Sequence, residues 1–231
     1  MIAENLSSVS EFLLQGLPIL PEHQGTFFTL FLGMYLTTVP GNLLIILLVR
    51  LDSHLHTSVY FFLSHLSITD ISFSSITVPK IQMNMQTHCK YITHTGCILK
   101  AFFFIIFRYL DGFLLAVMAS DRYVAICYSL HYTNIMRVEL CLLLVIRSCV
   151  LTCAIALSHT LLLVPLCFCV NRTIPRFLCD LAVLLKLSCS ETSLSDLIIF
   201  ILGVMSVFLP LSGILFAYVF TWGLCSEGPL Y

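Results

Sequence analysis

Long apolar stretches alternate with short polar ones along this chain. Five windows reach the ~20 residues that a helix needs to cross a ~30 Å hydrocarbon core: 26–49, 58–79, 97–120, 140–166 and 197–222. Within each window the apolar run is continuous, so the period-two alternation of barrel strands is absent. No internal repeat of the transporter kind is visible. The pattern predicts an all-α membrane protein. Residues 1–25 form an N-terminal tail, 26–222 the helical domain and 223–231 a short C-terminal tail.

Composition sharpens that picture. Apolar residues make up 59% of the 231 positions and charged residues 10%, against roughly 25% charged in a soluble domain. The net charge of −1 offers nothing to nucleic acid. The first 18 residues lack a basic start and a sustained apolar core, so no cleavable signal is expected. The tail before the first window has no Lys or Arg, and Arg50 follows that window directly, which places the N-terminus outside. Asn5-Leu6-Ser7 is a glycosylation sequon on the same tail. Counting the later loops votes the other way. Arg50, Arg122 and Arg137 fall inside, against Lys80, Lys90, Lys100, Arg172, Arg176 and Lys186 outside.

Polar residues within the windows need an explanation, because a charge at the bilayer centre costs at least ~2.5 kcal/mol. Asp70 and Asp111, with Asn42 nearby if the helices pack antiparallel in order, form either an oxygen-rich cation site or a pair of protonated, hydrogen-bonded acids. Arg108 and Asp111 share a helix face and can pair. Arg147, about two turns inside its window, can reach the interface along its helix. Six of eleven cysteines fall on the outer side: Cys89, Cys97, Cys167, Cys169, Cys179 and Cys189. Disulfides can form there, with pairings that spacing alone leaves open. No zinc spacing, phosphate loop or nucleophile elbow occurs, so neither an enzyme nor a resident cofactor is expected, a sodium ion aside.

The stretch MASDRYVAICYSLHY, residues 118–132, closely resembles the signature MAYDRYVAIC.PL.Y of olfactory receptors, within the rhodopsin-like G-protein-coupled receptors. EFLLQG, PGNLLII, LHTSVYFFLSHLSITD, SHTLLL and LCDLAVLLKLSCSET also resemble that family, over about residues 10–220. The resemblance implies a seven-helix receptor bundle of which this sequence carries about five helices. Asp121, Arg122 and Tyr123 become the G-protein switch, with Asp121 holding Arg122 at rest. Asp70 and Asp111, with Asn42, become a sodium site. Cys97–Cys179 and Cys169–Cys189 become disulfides, with Cys97–Cys189 as an alternative. The odorant pocket draws on Phe104, Ile105, Arg108 and Tyr109 of the third span and Leu202, Gly203 and Ser206 of the fifth.

Departures accompany the resemblance. Ser120 replaces a tyrosine, Ser58 and Ser129 replace prolines, and Cys149 stands near a usual tryptophan. Arg108 puts a cation in the odorant pocket. After LFAYVF the chain reads TWGLCSEGPLY, unlike the family's third inner loop, and the sixth and seventh spans do not follow. The expectation is therefore a truncated odorant receptor from a disrupted gene. Its partners would be a small volatile odorant, a heterotrimeric G protein and the bilayer, with weak or no signalling. It sits in the plasma membrane as a multi-pass protein, or is retained in the endoplasmic reticulum. The rival readings are a non-signalling protein that binds intact receptors and a small ion-conducting protein using Asp70 and Asp111.

Overall fold

The structure, a computed structural model, describes residues 11–14, 21–86, 91–163, 173–174 and 193–226. Five long helices dominate it: α1 (Pro21–Leu51), α2 (Ser58–Gln86), α3 (His94–Cys127), α5 (Val138–Leu163) and α6 (Ser193–Ser226). A short helix, α4 (Tyr132–Ile135), lies between α3 and α5. All five long helices are long and apolar enough to cross a membrane. Each starts or ends beyond its sequence window, because polar flanks continue the helix into the interface. The last three residues of the fourth window, 164–166, lie outside the described residues.

Helix α3 is the hub. It packs on α2, α5 and α6, while α1 packs on α2. Phe62 of α2, Leu110 and Leu114 of α3, and Cys141 and Val145 of α5 form the buried cluster where three helices meet. Outer faces stay apolar and exposed, as at Leu44 and Leu48 of α1 or Phe200 and Phe208 of α6. A bilayer, rather than water, is the solvent such faces fit.

Many hydroxyls inside the spans bond within their own helices, whereas Ser67 Oγ and Thr77 Oγ1 are buried without a hydrogen-bond partner. Thr37 donates to Gly33 O, Ser148 to Leu144 O and Thr160 to Ala156 O, at 3.0, 2.9 and 2.7 Å. His65 and His159 use Nδ1 in the same way, toward Phe61 O and Ile155 O. Such back-bonding lets a polar side chain sit in hydrocarbon without an orphaned donor.

A small sheet adds what the apolar windows did not predict. Strand β1 (Glu11–Leu14) lies in the middle, antiparallel to β2 (Tyr91–Thr93) and parallel to β3 (Thr173–Ile174). The EFLL of the N-terminal motif is β1 itself. Thr93 then caps α3, its Oγ1 accepting from Gly96 N at 3.2 Å. Four residues into α3, Cys97 is fully buried and disulfide-bonded. Cys169, Cys179, Cys189 and Asn5 lie outside the described residues.

Candidate functional site

The end of α3 carries the most developed polar cluster among the described residues. Asp121 is 1% exposed. Its Oδ1 accepts hydrogen bonds from Ser58 Oγ at 2.8 Å and Tyr132 Oη at 3.0 Å, and the two hydroxyls also touch each other. Three elements therefore converge: the first residue of α2, the last turns of α3 and the first residue of α4. A buried carboxylate without donors would be costly, and two hydroxyls answer one of its oxygens. Its Oδ2 has no hydrogen-bond partner. Burial pushes the Tyr132 phenol above its usual range. The Asp121 carboxylate pushes it the same way, and the Ser58 hydrogen bond opposes both. Tyr132 thus remains a neutral donor at physiological pH.

Arg122 is exposed, and among the described residues no ion pair joins it to Asp121. In this arrangement the two side chains lie apart. Adjacent residues on an α-helix point about 100° apart and do not face each other. Asp121 looks into the α2–α4 corner, while Arg122 looks outward. Tyr123 turns to α6, with its ring 6.4 Å from both Phe216 and Phe220. Residues 121–123, the expected switch, therefore address three directions: the α2–α4 corner, an open face and the fifth span.

Sequence reasoning missed Ser58 as a donor and gave Tyr132 no role. The signal for Tyr132 was present, because it is the last residue of the 118–132 signature. Ser58 had been noted only as the loss of a proline. At the first position of α2 a proline fits well, but it has no hydroxyl to offer Asp121.

The residues expected to line an odorant pocket fall mostly on the α3–α6 interface. A Cβ built on Gly203 would lie in ordinary contact, 3.9 Å from Tyr109 Oη, so Gly203 of α6 faces Tyr109 of α3 with room for a methyl group. Ile105 and Ser206 are buried, and Ser206 Oγ donates to Gly203 O at 2.9 Å. Tyr109 also neighbours the buried His159 of α5, with centroids 6.3 Å apart. Leu202 is half-buried. Phe104 turns toward Phe73 of α2, at 5.2 Å between centroids. Arg108 is exposed and forms no ion pair with Asp111, which removes the expected cation from the packed interface.

For the expected sodium site, Asp111 Oδ1 is buried with no hydrogen-bond partner. Asp70 and Arg108 lie within its electrostatic reach. Such an orphaned oxygen suits a cation. Asn42 uses its amide on Thr38 O at 3.0 Å, and no hydrogen bond joins it to either carboxylate. Asp70 and Asp111 fit an ion better than the trio does. Arg147 is exposed on α5, as a side chain reaching for the interface requires.

Comparison with known proteins matches this geometry. Residues 41–226 fit the family described as 7 transmembrane receptor (rhodopsin family). Over 218 residues the chain is 63% identical to olfactory receptor 1J2 and 62% to olfactory receptor 1J4, both of Homo sapiens. It is 57% identical to olfactory receptor 1J1 of Mus musculus. Each of these matches covers 94% of this chain and 70% of the relative. A helical bundle with an Asp-Arg-Tyr cluster at the end of its central helix and this degree of identity place the chain in the rhodopsin family of seven-transmembrane receptors, among the olfactory receptors.

Proposed function

We propose that this chain is an odorant receptor of the plasma membrane, with its N-terminus outside, which converts binding of a small volatile molecule into activation of a heterotrimeric G protein. Family membership carries the reading. The Asp121 cluster supplies its physical core, because a buried carboxylate held by two hydroxyls keeps the cytoplasmic ends of α2, α3 and α4 together. Arg122 beside it is exposed and available to a partner. Odorant contacts fall to Ile105, Tyr109, Gly203 and Ser206, and apolar burial supplies most of the affinity. Asp70 and Asp111 hold a sodium ion. Catalysis has no part in this reading.

The polypeptide of residues 1–231, expressed by itself, signals weakly or not at all. Its five long helices bring two walls of the odorant pocket, from α3 and α6, and leave α6 apolar on its outer face. Odorant-evoked cAMP in cells expressing residues 1–231 is the test, beside a chimera that continues from residue 220 with the remaining spans of olfactory receptor 1J2. The chimera responds and the shorter chain does not. A response from the shorter chain of equal size would overturn the proposal. The exposed Phe200, Phe208 and Phe216 of α6 favour a second role, association with intact receptors. Co-precipitation that is lost when these three become alanine tests it.

A further inference from the structure

A cavity of about 660 Å³ opens at the cytoplasmic end of the bundle, within the ~300–1,000 Å³ of ordinary ligand sites. Its apolar wall includes Val49 from α1, Leu55 from the connecting turn, Phe61 from α2 and Met136 just after α4. Arg137 and Glu139, at the start of α5, stand at its edge. No residue of α3 or α6 lines it, so it opens away from the bundle's interior. Three candidate spans end around it: His23–Leu51, Ser58–Met83 and Val138–Leu162. A cavity bounded by span ends lies at the level of lipid headgroups.

The charges at the edge narrow the occupant. Arg137 and Glu139 are both exposed, and among the described residues no ion pair joins them. One fixed cation and one fixed anion beside an apolar wall complement a zwitterion with a tail. A carboxylate prefers a partner with N–H donors, which a primary ammonium has and a quaternary one lacks. A quaternary ammonium is instead held by a cage of several aromatic rings, and the aromatic rings here are Phe61, Tyr132, which is engaged with Asp121, and the exposed imidazole of His56. We propose that this cavity binds phosphatidylethanolamine from the cytoplasmic leaflet, phosphate toward Arg137, ammonium toward Glu139 and the upper acyl chain along Val49, Leu55, Phe61 and Met136.

Occupancy reaches the switch. Ser58 and Tyr132 line the same cavity, and both donate to Asp121. Lipid in the cavity packs against the two hydroxyls that hold the carboxylate, so it favours the closed arrangement of α2, α3 and α4. Cys141 is a free, buried thiol in the lining and serves as a reporter.

The test uses the chain of residues 1–231 in nanodiscs of phosphatidylcholine alone, or with added phosphatidylethanolamine or phosphatidylserine. Alkylation of Cys141 by N-ethylmaleimide is followed by peptide mass spectrometry. The ethanolamine lipid slows alkylation several-fold, and the other two do not. A photoreactive ethanolamine lipid labels the segment 132–141 and loses most of that labelling in Arg137→Ala and in Glu139→Ala. Both positions are exposed, and thermal unfolding of each variant checks that it folds. Val138→Trp, at the exposed edge of the cavity, blocks labelling while the edge charges stay in place. Equal protection by all three lipids, preference for the serine lipid, or labelling indifferent to Glu139→Ala would each overturn the proposal.

Discussion

Asp121 shows how far one residue can be read before its neighbours are known. That it is an acid at the edge of a span was visible in the sequence, and its family role followed from the flanking motif. Its partners were not visible, because Ser58 and Tyr132 lie 63 and 11 positions away and meet it only through tertiary packing. Hydrogen bonds to a charged group are worth about 1.5–3 kcal/mol each. Ser58→Ala and Tyr132→Phe should therefore each lower the unfolding temperature of the purified chain measurably, and Tyr132→Phe tests the hydroxyl with the ring kept. If neither variant unfolds earlier than the parent, the lock contributes nothing to stability. The sign of the pH dependence follows from Tyr132. Its folded pKa is raised, so its contribution is complete below the unfolded value of about 10 and declines as pH rises past it. Ser58→Ala and the parent chain should show the same relative stability at pH 6 and pH 8. A tyrosine-dependent fall confined to alkaline pH would show in the parent and vanish in Tyr132→Phe.

Elements were legible in proportion to their length. A run of more than 20 apolar residues announces a span whatever it packs against, so five long helices could be read directly. Their ends could not, because polar residues such as His94 and Ser226 continue the helix as readily as they end it. Strands of two to four residues, such as Tyr91–Thr93, give no periodicity to detect and exist only because of one another. The entrance to α3 is set locally. Thr93 caps it, and a Cβ on Gly96 would lie 2.9 Å from Thr93 Oγ1. Gly96→Ala should displace that hydroxyl and cost about 1 kcal/mol, as losses of N-caps do. Gly96→Ala combined with Thr93→Ala should be no worse than Thr93→Ala alone, which a double-mutant cycle by thermal unfolding measures.

At the scale of the whole molecule, the apolar outer faces of α1 and α6 commit the chain to a bilayer, and the buried Cys97 disulfide commits its other end to an oxidising compartment. Reduction, or Cys97→Ser, should destabilise the outer end by about 2–4 kcal/mol and leave the Ser58–Asp121–Tyr132 corner intact. Alkylation of the free thiol Cys141 reads the inner end in each case. Glycosylation fixes the orientation: chain made in cells should shift in gel mobility on deglycosylation, Asn5→Gln should reduce that shift, and Asn5→Gln with Asn171→Gln should abolish it, because Asn171-Arg172-Thr173 is a second sequon on the outer side. An unshifted product would place the N-terminus on the wrong side of the membrane.

The three-stranded sheet sets an order of events. Its central strand, Glu11–Leu14, leaves the ribosome first, and its parallel neighbour, Thr173–Ile174, arrives only after four long helices have been made. Until then one border of that strand waits unpaired in the lumen, where a strand edge is open to the wrong chain. Biogenesis of this polypeptide thus closes where it began, and an affinity tag spliced beside Glu11 should delay export more than the same tag at the carboxyl terminus.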